Sequence, residues 1–455
     1  MRGKTFLWRH FVTGAQLIFC SLLMMTVLSC KEKLEFNLGE FSVFQIEEQL
    51  RSDFVRGVIA QCRERPDGAK AYPAFKSGKP LYGSVRFYGP PADAHLERGY
   101  FAIDESGGTG QGYDRLYFDR NCDLDLTNDT PLKADPQPPS GALLKYSSIE
   151  QQVCFDNLDI TFDFGSAGKR AIEIMPGLLI RKGQQPEVRF VATKIRRGAI
   201  KFGGAKYDVL LGYSYGLGSP LDQPGTIFFL VPEGDPQNFP RWWGGDILNA
   251  VHAVGGKHYR FATTPTGDKF FVRPYEGELG TFEVGAGGRD IKGAMMRGSL
   301  RSQDMAAAVG GELERGWPKP AQKCRVPVGD YLPSYLMISF GRLSIFLSNN
   351  YHSDGKPGGG GNRPKVYGIK IRKDEPYVFD LSEKPEVIFA SPAKNHRVKL
   401  GEQLPVKAVL IDPKLDIMVR GLYDTTQKPN VSLDPKVVIT RANGEIVGQG
   451  VMPFG

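Results

Sequence analysis

An acidic stretch between Phe118 and Thr130 carries the residues best suited to chemistry. Its oxygen-bearing side chains fall on every second position: Asp119, Asn121, Asp123, Asp125, Thr127 and Asp129. A hard cation such as Ca²⁺ takes about six to eight oxygen ligands at roughly 2.3–2.6 Å. Carboxylates held this close together repel one another unless a cation gathers them. The alternation therefore predicts a calcium loop in which these six side chains are the metal ligands.

The same stretch resembles the calcium-binding loops of EF-hands and dockerins over about a dozen residues. Asp119, Asn121 and Asp123 match the first, third and fifth places of such a loop. Asp125 then falls at the seventh place and Thr127 at the ninth. The resemblance implies that the loop folds its alternate positions inward around one ion.

Two departures separate the stretch from an EF-hand. Leu124 occupies the sixth place, where glycine normally permits a sharp turn, and Asp129 comes one place before the usual closing acid. A strand pattern also precedes the loop where an EF-hand has a helix. We therefore expect a dockerin-like loop on a β scaffold, with a structural ion bound at a Kd on the order of 10⁻⁴–10⁻³ M. The alternative is a surface turn held by side-chain-to-backbone hydrogen bonds.

The N-terminal segment has the composition of an export signal. Basic residues precede an apolar run from Phe11 to Leu28, which ends in the tetrapeptide Val27-Leu28-Ser29-Cys30. This tetrapeptide resembles the lipobox of bacterial lipoproteins. The resemblance implies removal of residues 1–29, a lipid such as palmitate on Cys30, and a lipid-anchored protein of the cell envelope. A single transmembrane anchor is the alternative, although it needs about 20 apolar residues.

Charge and cysteine content narrow the class of partner. The formal net charge is +8, three of the basic residues lie in the signal, and Lys and Arg form no long run, so nucleic-acid binding is not expected. Four cysteines follow the lipid site, at Cys62, Cys122, Cys154 and Cys324. Their spacing does not suit a Cys-x-x-Cys metal knuckle. The sequence leaves open whether they form up to two disulfides or remain buried thiols.

No catalytic signature emerges from the rest of the chain. It lacks a Gly-x-Ser-x-Gly elbow, a His-Glu-x-x-His motif and a phosphate-binding loop. His252 and His258 lie six residues apart, which suits neither a helical zinc pair nor a same-face pair on a strand. Both are better explained as isolated core or surface histidines.

Trp242 and Trp243 would provide an aromatic face for a carbohydrate ligand, with core packing as the alternative. Glu276 and Glu278 are a candidate carboxylate pair for a glycosidase, although the sequence gives no distance between them. The leading hypothesis is a lipid-anchored, calcium-stabilised binding or structural protein with a carbohydrate or protein partner at the cell surface. The alternative is an exported polysaccharide-acting hydrolase with its site in the middle β domain.

Short strands joined by turns dominate the expected fold. The 55 glycines and 32 prolines are a surplus over the usual share, and apolar residues alternate with polar ones in many short segments. This pattern predicts a mainly β fold with several antiparallel β-sandwich-like domains. Gly203-Gly204 and Asn443-Gly444 predict tight hairpin turns. Short helices are expected within Phe41–Cys62 and from Asp246, as N-cap, to Val254.

The expected organisation places a signal before several β domains. Its parts are the signal peptide at 1–29, a tether and short mixed segment at 30–75, a β domain with the acidic loop at 76–195, a middle β domain at 196–383, and an immunoglobulin-like β-sandwich at 384–455. The last part is suggested by its short strands and proline-rich joints.

Overall fold

The computed structural model shows a protein built mainly of antiparallel β-sheet, which confirms the predicted fold class. It describes residues 34–55, 57–87, 99–110, 112–142, 148–213, 217–222, 226–234, 246–248, 250–287, 293–314, 317–348, 367–392, 396–399, 402–404, 406–412, 414–427 and 430–454. One α-helix occurs in these ranges, α1 (Glu48–Phe54), together with 3₁₀ turns at Val43–Gln45 and Gly165–Ala167.

The strands are numbered in chain order. Those of the N-terminal half are β1 (Leu34–Asn37), β2 (Gly39–Ser42), β3 (Val58–Gln61), β4 (Leu81–Val85), β5 (Gly99–Asp104), β6 (Arg115–Phe118), β7 (Leu132–Lys133), β8 (Ile149–Cys154), β9 (Leu158–Asp163), β10 (Lys169–Arg181), β11 (Glu187–Ala192), β12 (Lys194–Phe202), β13 (Ala205–Tyr213) and β14 (Thr226–Pro232).

The remaining strands are β15 (Asp246–Ile247), β16 (Ala250–Val254), β17 (Lys257–Thr263), β18 (Lys269–Pro274), β19 (Leu279–Gly285), β20 (Met295–Arg301), β21 (Ala306–Val309), β22 (Leu313–Glu314), β23 (Trp317–Pro318), β24 (Lys323–Pro327), β25 (Gly329–Phe340), β26 (Leu343–Ser348), β27 (Ile369–Ile371), β28 (Tyr377–Asp380), β29 (Glu386–Ser391), β30 (Lys407–Asp412), β31 (Ile417–Asp424), β32 (Val431–Ser432), β33 (Lys436–Thr440) and β34 (Ile446–Val451).

Four sheets position the acidic loop and its surroundings. Their strand orders are β4-β5-β6-β7, β3-β11-β10-β8 with β9 beside β10, β15-β14-β13-β12-β2, and a long sheet from β1 through β18, β17, β16, β21, β20, β25, β26, β31 and β30 to β29. Alternation along a strand sends one set of side chains to a core and the other to solvent, as β9 shows in its regular inward and outward pattern.

A cluster of phenylalanines ties the sheet of the acidic loop to its neighbour. Phe190 on β11 is fully buried, and its ring centre lies 5.6 Å from that of Phe101 and 5.9 Å from those of Phe87 and Phe118. Such edge-to-face pairs contribute about 0.5–1.5 kcal/mol each beyond area burial. Phe118 ends β6, so the residue before the acidic loop is fixed in the core.

The hydrophobic cores extend across the expected domain boundaries. The largest core draws side chains from Leu38 to Val272, on both sides of residue 195. A second core runs from Phe282 to Ile417, and β31 pairs with β26, so contacts also cross residue 383. The division into separate domains, including an immunoglobulin-like one, stays a prediction.

Tight turns follow the sequence pattern closely. Gly203 and Gly204 have φ of 59° and 83° and join Phe202 to its pairing partner Ala205, as the two-residue prediction requires. Gly444, with φ of 87°, closes the turn between β33 and β34. Both turn predictions are confirmed.

The prediction of a helix from Asp246 to Val254 is wrong. Asp246–Ile247 pairs with β14, and Ala250–Val254 forms a hairpin with β17. The Gly255-Gly256 turn, with φ of 58° and 73°, folds the chain back so that this short apolar run meets a β partner. The helix expected within Phe41–Cys62 is present as α1.

The four cysteines that follow the lipid site are all free thiols. Cys62, Cys154 and Cys324 are buried. Burial raises the pKa of Cys62 to about 12 and the pKa values of Cys154 and Cys324 to about 11. The buried-thiol alternative therefore describes these three residues.

Several sequence predictions fall on other parts of the chain. The signal 1–29, the lipid site Cys30 and the aromatic pair Trp242 and Trp243 lie outside the described residues. Among the residues that the structure does describe, no helix is both long enough and apolar enough to cross a bilayer.

Candidate metal centre

The acidic loop leaves the sheet at the end of β6 and returns at β7. β6 is paired on both sides, with β5 and β7, so the loop begins at a firmly held strand end. The Asp119 N–H donates to the Tyr100 carbonyl at 3.0 Å and continues the ladder by one residue. The loop is therefore strand-borne, as the sequence pattern indicated.

Asp119 is the most buried of the six predicted ligands, with 1% of its surface exposed. Its Oδ2 accepts a hydrogen bond from the Leu124 N–H at 3.1 Å, whereas its buried Oδ1 has no partner. Burial, reinforced by the charge of Asp123, raises the pKa of the Asp119 carboxyl, whereas the backbone N–H groups of Leu124, Cys122 and Asp123 act in the opposite direction. A buried carboxylate oxygen without a partner costs about 1–3 kcal/mol or more, and a cation removes this cost.

Asp129, the last predicted ligand, has a similar arrangement. Its Oδ1 accepts a weak hydrogen bond from the Arg120 N–H at 3.3 Å, and its Oδ2 is buried without a partner. Burial, followed by the charge of Asp119, raises the pKa of the Asp129 carboxyl. Among the described residues, the first and last carboxylates of the loop therefore each keep one buried oxygen without a hydrogen-bond partner.

The remaining predicted ligands form a chain of local hydrogen bonds near the surface. Asn121 Oδ1 accepts from the Asp123 N–H at 3.2 Å, Asp123 Oδ1 accepts from the Asp125 N–H at 2.8 Å, and Asp125 Oδ1 accepts from the Thr127 N–H at 2.9 Å. Each bond spans two residues, which is the geometry of an Asx turn. The hydrogen bond from Asn128, with that from the Asp125 N–H, lowers the pKa of the exposed Asp123.

These bonds decide which oxygens remain unused. Asp119 and Asp129 each keep one buried oxygen without a partner among the described residues, whereas Asn121, Asp123 and Asp125 accept hydrogen bonds in turns and the Thr127 hydroxyl donates to Asp125. Over the part of the chain that is described, no three His, Cys, Asp or Glu side chains already converge as a metal group. An ion would therefore exchange turn hydrogen bonds of the outer residues for coordination.

The sharp bend of the loop occurs at its sixth place, where sequence comparison with EF-hands indicated a mismatch. Leu124 has φ of 71° and Cys122 has φ of 58°. A non-glycine residue in this region costs about 1–2 kcal/mol. The Leu124 side chain packs against the cluster of Tyr100, Ala102 and Leu126, which offsets the cost. The chain thus makes the glycine-type turn with a leucine.

A second segment clamps the loop from outside. The Lys70 N–H donates to the Leu124 carbonyl at 2.7 Å, the Leu126 N–H donates to the Ala71 carbonyl at 3.1 Å, and Lys70 Nζ donates to the Asp123 carbonyl at 3.0 Å. Sequence reasoning missed this clamp because Lys70 and Asp123, which its side chain contacts, lie 53 residues apart in the chain. No local motif marks Lys70 or Ala71 as part of the site.

Two of the other candidate residues, His252 and Glu278, lie in different surroundings. His252 is buried against the rings of Phe228 and Phe261, at 6.1 and 5.2 Å between ring centres. Glu278 is exposed and pairs with Lys373 at 2.7 Å. These contacts are those of a core histidine and a surface ion pair.

Comparison with known families, with characterised proteins and with solved structures gave no match to this chain.

Proposed function

We propose that residues 119–129 bind a structural Ca²⁺ ion in a lipid-anchored β protein of the cell envelope that binds or organises a partner at the cell surface. The observation that carries the metal assignment is Asp119, a buried carboxylate whose Oδ1 has no hydrogen-bond partner. A fully hydrogen-bonded surface turn would not leave that oxygen, or the buried Oδ2 of Asp129, without donors.

The loop residues fit a hard cation by type and by order. Asp119 and Asp129 would hold the ion from the base, and Asn121, Asp123, Asp125 and Thr127 would complete an oxygen-only shell. Bound calcium would supply positive charge that relieves the repulsion between the carboxylates. The chain's own contribution is the bend at Leu124 and the clamp by Lys70 and Ala71, which preset the loop and limit the ordering needed on binding.

The envelope assignment rests on the tetrapeptide ending in Cys30 and on the basic and apolar segment before it. Radiolabelled palmitate should enter the wild-type protein and should not enter Cys30→Ser. We expect the wild-type protein in the membrane fraction and the variant released from it. Equal labelling of the two proteins would contradict lipidation at Cys30.

Thermal melts test the metal. Calcium should raise the melting temperature of the wild-type protein, EDTA should reverse the rise, and Asp119→Ala and Asp123→Ala should abolish it. Asp424→Ala is a matched control, because Asp424 Oδ1 accepts from the Thr426 N–H at 2.9 Å and the Thr426 hydroxyl at 2.7 Å, as Asp125 does from Thr127 at 2.9 and 2.6 Å. The control should keep the calcium response. If neither calcium nor EDTA changes the wild-type melting temperature, residues 119–129 form only a surface turn.

A further inference from the structure

Among the residues that the structure describes, a buried arginine on β10 has no carboxylate partner. Arg170, opposite Phe162 of β9, has 6% of its surface exposed. Its Nη1 donates to the Tyr213 hydroxyl at 3.3 Å, and its guanidinium carbon lies 5.6 Å from the centre of the Tyr213 ring. Its buried Nε has no acceptor, and within the described ranges no carboxylate forms an ion pair with it.

This arrangement is unfavourable without a counter-ion. A guanidinium stays charged in proteins, so it cannot relieve burial by losing its proton. An uncompensated buried charge is destabilising, and the cation–π contact with Tyr213, at 5.6 Å from the ring centre, offsets only part of that cost. The remaining cost identifies a place where an anion would stabilise the fold.

A second arginine, Arg196 on β12, pairs with Leu211 of β13, two residues before Tyr213, so its side chain lies on the face of the sheet that carries Tyr213. Arg196 on β12 donates from Nε to the Thr266 carbonyl at 3.3 Å, and its Nη2 is 3.5 Å from a Glu40 carboxylate oxygen. Burial and then the charge of Arg170 lower the pKa of Arg196, whereas Glu40 and Asp268 act in the opposite direction. The Arg196 side chain is 14% exposed and that of Glu40 is 43% exposed, so the cluster reaches the surface on this side.

The surrounding groups hold the two arginines in place. The Tyr213 hydroxyl accepts from Arg170 and donates to the Ser219 carbonyl at 2.9 Å. Asp268, whose charge also acts on Arg196, accepts from the hydroxyls of Thr264 and Thr266. Gly267 has φ of 71°, and a Cβ there would lie 2.5 Å from Leu221 Cδ1 and 3.2 Å from Arg196 Cγ. A side chain at residue 267 would therefore clash with Leu221 and crowd the stem of Arg196.

We propose that Arg170 and Arg196 form a binding site for a small oxyanion, the carboxylate or phosphate group of a ligand. The planar donor fork of a guanidinium suits both groups because each presents paired oxygens. Tyr213 occupies the Nη1 side of Arg170, which leaves the Nε side for the anion. This site is formed by β10, β12 and β13 and is separate from the acidic loop on β6.

Melting temperatures in EDTA test the proposal without interference from calcium. The wild-type protein, beginning at residue 31, is compared in phosphate, in acetate and in chloride at one pH and one ionic strength. At a ligand concentration ten times Kd, binding should raise the melting temperature by about 3–5 °C over chloride. A response to phosphate alone identifies a phosphate ligand, and a response to acetate alone identifies a carboxylate. Equal melts in all three salts would overturn the proposal.

Two substitutions assign the response to these residues. Arg170→Met should abolish it, and the variant in chloride should be as stable as the wild type or more stable, because a buried unpaired charge has been removed. Arg181→Met on the same strand is the control, since Arg181 is paired with Glu187 at 3.2 Å, and it should keep the response. Arg196→Met, which retains Arg170, should weaken anion binding about tenfold, the equivalent of one lost charged contact. An undiminished phosphate or acetate response in both Arg170→Met and Arg196→Met would refute the assignment.

Discussion

Replacing Asp119 by asparagine should change the stability of the protein in opposite directions with and without calcium. In EDTA the substitution removes a buried charge and supplies an amide that can donate a hydrogen bond, so we expect equal or greater stability than the wild type. In calcium the same substitution removes a charged ligand, so the variant should be less stable. A residue that served only as a turn would lower stability by the same amount in both media.

The size of the effect follows from the affinity expected for such a loop. With a Kd on the order of 10⁻⁴–10⁻³ M, calcium at about 10 mM exceeds Kd by roughly ten- to a hundredfold. The ion then stabilises the folded state by about 1.4–2.7 kcal/mol. For a cooperative unit of about 150–250 residues, each kcal/mol corresponds to about 2–4 °C. The wild-type melting temperature should therefore rise by about 3–10 °C.

Differential scanning calorimetry measures the melting temperatures of the wild type and of Asp119→Asn in EDTA and in calcium at about 10 mM, which is about ten to a hundred times the expected Kd. Asp424→Asn, in a matched exposed turn, should shift both melts equally and serves as the control. Magnesium at the same concentration should have a smaller effect, because it requires near-octahedral geometry at shorter distances. Equal destabilisation of Asp119→Asn in EDTA and in calcium would refute a metal-binding role for Asp119.

Three further predictions concern pH, the core and the thiols. Because the folded pKa of Asp119 lies above its ordinary value of 3.8, stability in EDTA should fall as the pH rises from 3.8 through the folded pKa; wild-type melts should show this fall more strongly than those of Asp119→Asn. Phe190→Ala should cost about 3–5 kcal/mol in urea unfolding, since the ring is fully buried among three others; a cost below about 1 kcal/mol would contradict the packing. In a chain that begins at residue 31, a thiol reagent at pH 8 should modify Cys122 in the native protein, slowly because burial and the nearby carboxylates raise its pKa, and the three buried cysteines only after unfolding; modification of all four at one rate in the native protein would contradict their burial.

Local patterns in the sequence predicted the parts of the fold that depend on neighbouring residues. Gly203-Gly204 specifies a hairpin because both positions need positive φ, and this requirement involves only the two residues. The helix prediction for Ala250–Val254 was wrong because a short apolar segment fits a helix as well as a strand. Its partner β17 decided the outcome through hydrogen bonds that the run alone cannot indicate.

The candidate site also combines features that depend on neighbouring residues with features that depend on distant ones. The alternating oxygens from Asp119 to Asp129 are visible in the sequence, and so is the strand that precedes them. The bend at Leu124 was not expected, because a leucine with positive φ is stable only when its side chain is packed, here against an aromatic cluster. Lys70 and Arg170 find their partners through tertiary folding, so no motif could point to either of them.

The position of β1 limits how the body of the protein can move if Cys30 carries a lipid. Leu34 already pairs with Val272 of β18, so three residues separate the lipidated cysteine from the sheet. A fully extended chain of that length reaches about 14 Å. So short a linker would hold the body of the protein against the lipid headgroups. A lateral force on the lipid would then act directly on the hydrogen bonds of β1.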